Sequence, residues 1–339
     1  MEKNLILGIE SSCDDSSVAL MDAKTYELVL YKKISQESRH SEFGGVVPEL
    51  AARLHTAALP NLALDLKPYF EDIKAIAVTN EPGLSVSLIA GVSMAKALSI
   101  SLNIPLIAIN HLIGHIYSLF LDQKIKLPLG ILLVSGGHTM VLNIDSHGKI
   151  TLLASTTDDS YGESFDKVAK MMNLGYPGGA VIESFAKGCV DDMYKFTVPL
   201  KGNKKRLEYS FSGLKNQVRL AIENLGKNLS EDEISKVAFS FQKAATEHII
   251  DKLKTVFDIY KFENFGVVGG ASANQTLRGE LEKISTKYNT NLLFAPLKFC
   301  SDNAAMIARA GVDKYEKKEF IDYKNLRISP RSDLNGVII

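Results

Sequence analysis

Through the first hundred positions, apolar residues come in short unbroken runs joined by small polar turns, the mark of strands buried on both faces. Positions 5–9 form one such run, and the turn Ser11-Ser12-Cys13-Asp14-Asp15-Ser16 follows it. Further runs at 18–21 and 28–34 predict a three-stranded meander. Pro48 then opens a helix in which Leu50, Leu54, Ala57 and Ala58 keep helical spacing to about position 66. A strand at 75–79, a turn at Pro82-Gly83-Leu84, a helix over 85–102 and a strand at 105–109 complete the order β-β-β-α-β-α-β.

At position 129 the order starts again. Strands at 129–134 and 139–144 flank the turn Ser135-Gly136-Gly137-His138, and a third strand follows at 150–154. Helical patterns fill 164–174, 212–224 and 231–260. A strand at 265–268 then runs into Gly269-Gly270-Ala271-Ser272-Ala273-Asn274 and a helix from Gln275. A duplicated meander with α/β crossovers predicts an α/β fold of the actin, sugar-kinase and heat-shock ATPase type, with a cleft between two domains. The expected divisions are an N-terminal domain over 1–125, a C-terminal domain over 126–303, and a helix and tail over 304–339 returning to the N-terminal domain.

Composition narrows the function classes. A chain of 339 residues is long enough for two domains with cores of their own. Thirty-nine basic against 39 acidic residues give no net charge, so a nucleic-acid partner must be met by a local patch. Cys13, Cys189 and Cys300 lie far apart without a CxxC pair, which signals neither a disulfide framework nor a thiolate zinc site. The first apolar run is too short for a signal peptide or a membrane span, and the expectation is a soluble cytoplasmic protein with no membrane partner.

Two imidazoles four apart in His111-Leu112-Ile113-Gly114-His115 share one face of a helix, within reach of one metal ion. Two core or capping histidines would show the same spacing. No Glu stands between them, so the general base of a zinc peptidase is missing. The best third ligand is Asp302, just before a helix start, although a helix cap would also account for it. The turns 135–138 and 269–274 each follow a strand, and their small residues would let backbone N–H groups approach phosphate oxygens. Tyr176-Pro177-Gly178-Gly179, behind Phe165-Asp166-Lys167, is a third Gly-rich turn suited to a ribose or base. No Walker GxxxxGK[ST] is present.

The strings Glu10 to Asp15, Phe43-Gly44-Gly45-Val46-Val47-Pro48-Glu49-Leu50-Ala51, His111 to His115, Phe211-Ser212-Gly213-Leu214-Lys215 and Cys300 to Met306, together with the three Gly-rich turns, resemble the TsaD family, formerly called O-sialoglycoprotein endopeptidase. The resemblance runs in order along nearly the whole chain. It implies an actin-like enzyme that transfers a threonylcarbamoyl group from threonylcarbamoyl-AMP to the N6 amine of the adenosine beside the tRNA anticodon, releasing AMP. It also implies one divalent metal per subunit, Fe(2+) in the family with zinc compatible, held by His111, His115 and Asp302. Substrate-binding positions would be Val134, Ser135, Gly136, Gly137, His138, Asp166, Gly179 and Asn274, with Glu183 standing where many relatives have Asp. The implied partners are tRNA, a TsaB-like inactive paralogue and a TsaE-like ATPase.

Two positions depart from the family pattern. Phe43 replaces a usual Tyr, and Glu81 a usual Gly; a carboxylate there is expected to point to solvent, away from phosphate. Glu10 and Asp14, at the exit of the first strand, are the candidates to orient or deprotonate the amine. Cys13 is no nucleophile, because Asp14 and Asp15 would raise its pKa. The rival readings are an actin-like ATPase or kinase, which the fold allows, and a metalloprotease. Lys201-Gly202-Asn203-Lys204-Lys205-Arg206, extended by Lys215, is the densest basic run and the candidate tRNA contact, with Lys314, Lys317 and Lys318 as the alternative.

Overall fold

The computed structural model describes residues 4–226 and 228–339; Met1, Glu2, Lys3 and Lys227 lie outside the described residues. In chain order the elements are β1 Leu5–Glu10, β2 Asp15–Asp22, β3 Leu28–Ser35, α1 Glu37–Ser41, α2 Pro48–Leu64, β4 Ile73–Glu81, α3 Ser85–Leu102, β5 Leu106–Asn110 and α4 His111–Tyr117. There follow β6 Leu129–Val134, β7 Thr139–Ile144, β8 Ile150–Thr156, α5 Tyr161–Met171, α6 Gly178–Ala186, β9 Glu208–Tyr209, α7 Ser212–Leu225 and α8 Glu231–Ile259. The last are β10 Asn264–Val268, α9 Gln275–Tyr288, β11 Asn291–Phe294 and α10 Ala304–Glu316. The chain divides into two compact units: unit 1 holds Met1–Ile125 and Ala295–Asp333, and unit 2 holds Lys126–Phe294 and Leu334–Ile339.

Unit 1 is built on a sheet of order β3-β2-β1-β4-β5. Its middle strand, β1, pairs antiparallel with β2 and parallel with β4, and all six of its residues are buried, which is why LILGIE carries no polar alternation. Helix α10 packs against β1 because Gly8 leaves room: a Cβ there would lie 2.6 Å from the Ala308 nitrogen. Helix α3 has the length and mean hydropathy, 1.5, of a membrane span, and within unit 1 it packs against α2 and β4. Glu81 does not point to solvent as expected. It is half-buried at the end of β4, where its Oε1 accepts from the Asn110 amide at 3.2 Å and from the Ser332 hydroxyl at 3.3 Å.

Unit 2 repeats the same strand order as β8-β7-β6-β10-β11, with the short β9 added beyond β8. Its core is aromatic around α5 and α8: Phe165 meets Phe241 edge-on at 4.9 Å and Tyr161 at 4.7 Å. Helix α5 begins at Tyr161, three residues before the periodicity predicts, because Ser160 and Glu163 form a capping box that fixes its start. The Gly-rich turn expected at 176–179 is a helix entrance. Asp166 Oδ1 accepts the Gly178 amide at 2.7 Å, and α6 runs on from there.

Candidate active site

In unit 1, strand β5 ends at Asn110, whose side chain accepts the amides of Leu112 and Ile113 and so starts α4 at His111. Residues i and i+4 of that helix turn both imidazoles the same way, with ring centroids 4.7 Å apart. Gly114, between them, lets α4 close on α10: a Cβ there would lie 2.7 Å from Ile307 Cδ1. Asp302 Oδ1 then stands 3.3 Å from His111 Nε2 and 3.3 Å from His115 Nε2. One donor atom from each of the three residues lies within 4.8 Å of the others.

His115 is fully enclosed, and neither ring nitrogen has a hydrogen-bond partner among the described residues. A buried imidazole without a well-formed hydrogen bond, 3.3 Å from a carboxylate and beside a second imidazole, fits a divalent cation that would take its Nε2. Burial favours neutral His111, but Asp302 and Glu10 outweigh it and hold its pKa well above the ordinary value. Burial likewise opposes ionisation of Asp302, and His111 and His115 reverse that, keeping its carboxyl well below the usual range. His115 moves the other way: burial, and then repulsion from His111, lower its pKa despite Asp302. The set therefore favours an ionised Asp302 and a neutral His115, the forms a metal requires, while His111 would give up one proton to an incoming cation.

Glu10 and Asp14 differ sharply in setting. Glu10 is fully buried, its Oε1 accepting the Ser12 amide at 2.6 Å and its Oε2 lying 2.5 Å from the Thr79 hydroxyl and 3.1 Å from His111 Nδ1. Asp14 is half-buried at the entrance to β2. Burial first, then Asp14 and Asp302, push the Cys13 thiol far above its ordinary pKa, so it is not a thiolate. Lys33 donates to the Asp302 carbonyl at 3.2 Å and to the Ser301 hydroxyl at 3.3 Å, bracing the turn that carries Asp302.

In unit 2, the turn after β6 folds on Ser135, whose Oγ accepts the amides of Gly137 at 3.3 Å and His138 at 3.0 Å. Val134 is buried in the strand, and Gly136 and Gly137 are exposed at its tip. Asn274 caps α9 through the Leu277 amide at 2.9 Å and donates its own amide to Gln242 at 2.9 Å. Gly179 is half-buried in the first turn of α6, and Glu183, one turn on, accepts the Gln275 amide at 2.6 Å. Helices α6, α8 and α9 line a cavity of about 930 Å³ to which Glu183, Gln242, Thr246, Gln275 and Thr276 contribute.

Ser12, Thr79, Lys33, Ser160 and Gln242 support the site through contacts that no sequence pattern assigns to them. Only Ser160 carried a signal, the S-x-x-E spacing of its capping box; its hydroxyl also donates to the Gly136 carbonyl at 2.7 Å and holds the turn. In the basic run, Lys201 is paired with Glu247 at 2.5 Å, Arg206 with Glu208 at 2.6 Å and Lys215 with Asp159 at 2.6 Å, and Lys204 lies 3.8 Å from Asp258.

Two units that repeat one strand order, with Gly-rich turns at strand ends in one of them, define the actin-like fold class. Solved structures of that fold agree. Full-length HypF in a phosphate- and nucleotide-bound form aligns with 98% of this chain and 48% of its own at TM-score 0.59 and 13% identity. The activator of 2-hydroxyisocaproyl-CoA dehydratase from Clostridium difficile aligns with 94% of this chain and 98% of its own at TM-score 0.55 and 15% identity. Residues 27–309 match the family "TsaD: tRNA N6-adenosine threonylcarbamoyltransferase", and the chain belongs to it. The tRNA N6-adenosine threonylcarbamoyltransferase of Campylobacter fetus is 66% identical over 98% of both chains, and that of Campylobacter hominis 66% identical over 96% of this chain and 97% of its own.

Proposed function

We propose that this protein transfers the threonylcarbamoyl group from threonylcarbamoyl-AMP to the N6 amine of the adenosine beside the anticodon, in tRNAs reading codons that begin with A, and releases AMP. Family membership along nearly the whole chain carries this reading. The donor is a mixed anhydride, so no covalent nucleophile is needed, and the task is to hold the reactants and stabilise developing charge. His111, His115 and Asp302 would hold one divalent cation, Fe(2+) or else zinc. Bound there it would supply Lewis-acid polarisation of donor oxygens. The turn 134–138 and Asp166, Gly179, Glu183 and Asn274 would grip the AMP portion, with the neighbouring cavity taking its nucleoside. Asp14 is the carboxylate left to take the proton from the attacking amine, since every oxygen of Glu10 is engaged.

Nothing favours the peptidase or kinase readings: Leu112, Ile113 and Gly114 supply no base between the histidines. The reaction belongs in the cytoplasm with its tRNA, and a TsaB-like paralogue and a TsaE-like ATPase are its expected partners. The test is to incubate the metal-loaded protein, with and without those partners, with synthetic threonylcarbamoyl-AMP and unmodified tRNA. Mass spectrometry should find threonylcarbamoylated adenosine; its absence under both conditions would remove the assignment.

A further inference from the structure

We infer that Glu10 is a positioning residue: it fixes the His111 imidazole with its proton on Nδ1, so that Nε2 presents its lone pair to the metal. This rests on the metal-binding reading above. An ionised carboxylate can only accept, and Glu10 Oε2 lies 3.1 Å from His111 Nδ1, so Nδ1 must carry hydrogen. The ring's other nitrogen, Nε2, also faces a carboxylate, Asp302 at 3.3 Å, and it is the one whose proton would leave when a cation takes its lone pair. Glu10 itself cannot swing, because its Oε1 is held by the Ser12 amide at 2.6 Å and its Oε2 also takes the Thr79 hydroxyl at 2.5 Å. With no exposed surface it cannot reach a substrate amine. Ser12 Oγ, 3.1 Å from the same Nδ1, adds a second polar contact to that ring edge.

Glu10→Gln separates this role from mere packing. The Ser12 N–H can only donate, so the carboxamide oxygen must stay on Ser12, and the new NH2 then turns toward Thr79 and His111. There it opposes an Nδ1–H and favours the tautomer with hydrogen on Nε2, the one that cannot bind metal through Nε2. Outer-shell partners of this kind are worth about 10–100-fold in metal affinity. Zinc affinity of wild type and Glu10→Gln, measured by competition with a chromophoric chelator, should differ by that factor while circular dichroism shows the fold retained. Equal affinities would overturn the inference. Should Glu10→Gln not fold, nitrogen-15 NMR of zinc-loaded wild type decides: a protonated Nδ1 on His111 supports it, and zinc on Nδ1 with a protonated Nε2 overturns it. A wild type that takes up no zinc or iron would instead remove the metal reading itself, and this inference with it.

Discussion

Asn303 caps helix α10, accepting the Met306 amide at 2.9 Å, and so leaves its neighbour Asp302 to face His111 and His115. Asn303 is fully buried and donates its own amide to the Ser301 carbonyl at 2.8 Å and the Phe299 carbonyl at 3.1 Å. The cap and the carboxylate that faces both histidines are thus adjacent residues with separate tasks. His111→Ala, His115→Ala and Asp302→Ala should each lose bound metal and transfer activity with circular dichroism unchanged, whereas Asn303→Ala should cost about 1 kcal/mol of stability. Elemental analysis and urea melts measure the two; full metal occupancy in all three ligand variants would refute the triad.

AMP should protect the protein against heat by an amount that grows with the logarithm of its concentration above the dissociation constant, because occupancy of the native state stabilises it by mass action. Asn274→Ala removes both a helix cap and the contact to Gln242. The variant's own melting temperature will therefore fall, and the quantity to read is the AMP-dependent increment above that baseline, which should shrink. An increment equal to wild type would take Asn274 out of the site.

Gly162, the second residue of α5, packs on the turn after β6, where a Cβ would lie 2.5 Å from the Ser135 carbonyl oxygen and 3.0 Å from the Gly136 nitrogen. Both neighbours are backbone, so Gly162→Ala must displace the turn, at a cost of about 1–3 kcal/mol. Calorimetric titration with AMP should show weakened binding, while metal content, a property of unit 1, stays at the wild-type level.

Stability should fall as pH drops from about 6.5 toward 4, in part because of one residue. Burial, and then the charge of Lys252, lower the His248 pKa from 6.5 to about 4. Between those values the folded chain keeps His248 neutral while the unfolded chain protonates it. Its contribution is therefore complete above the unfolded pKa and lost as pH falls through the window, by up to about 3 kcal/mol. Its Nε2 accepts the Ser210 amide at 3.0 Å, a bond that a Gln oxygen could replace. Urea melts of His248→Gln across this pH range should be flatter than those of wild type; parallel curves would exclude the effect.

For tRNA, the exposed pairs of Lys201, Lys204 and Arg206 with nearby carboxylates are weak, each worth about 0–1 kcal/mol, and phosphates can displace them. Replacing Lys204, Lys205 and Arg206 by Ala should weaken tRNA binding and flatten its log–log salt slope by about one unit per lost contact. Filter binding over a salt series measures both, and an unchanged slope would move the search to Lys314, Lys317 and Lys318.

The duplicated strand order was legible because buried central strands such as β1 and β6 read as continuous apolar runs, whatever surrounds them. His111 and His115 were legible because helical spacing is local. What stayed hidden acts across the chain: Thr79 reaches Glu10 over 69 positions and Ser12 reaches His111 over 99, and no periodicity encodes such pairs. The inward turn of Glu81 is hidden for the same reason, since its partner Ser332 lies 251 positions away. The start of α6 was hidden because a Gly-rich stretch reads as a turn until Asp166 is seen to hold its first amide.

Unit 1 is assembled from two stretches, Met1–Ile125 and Ala295–Asp333, with nearly all of unit 2 inserted between them. The ribosome therefore delivers β1, α4 and both histidines long before it delivers Asp302 and α10. During that interval β1 lacks the helix that covers it, and the nascent chain holds two histidines without the carboxylate that faces them. Translation order would thus delay metal capture by this triad until residue 302 has been made, and a premature stop anywhere before it yields a polypeptide without the carboxylate that faces both histidines.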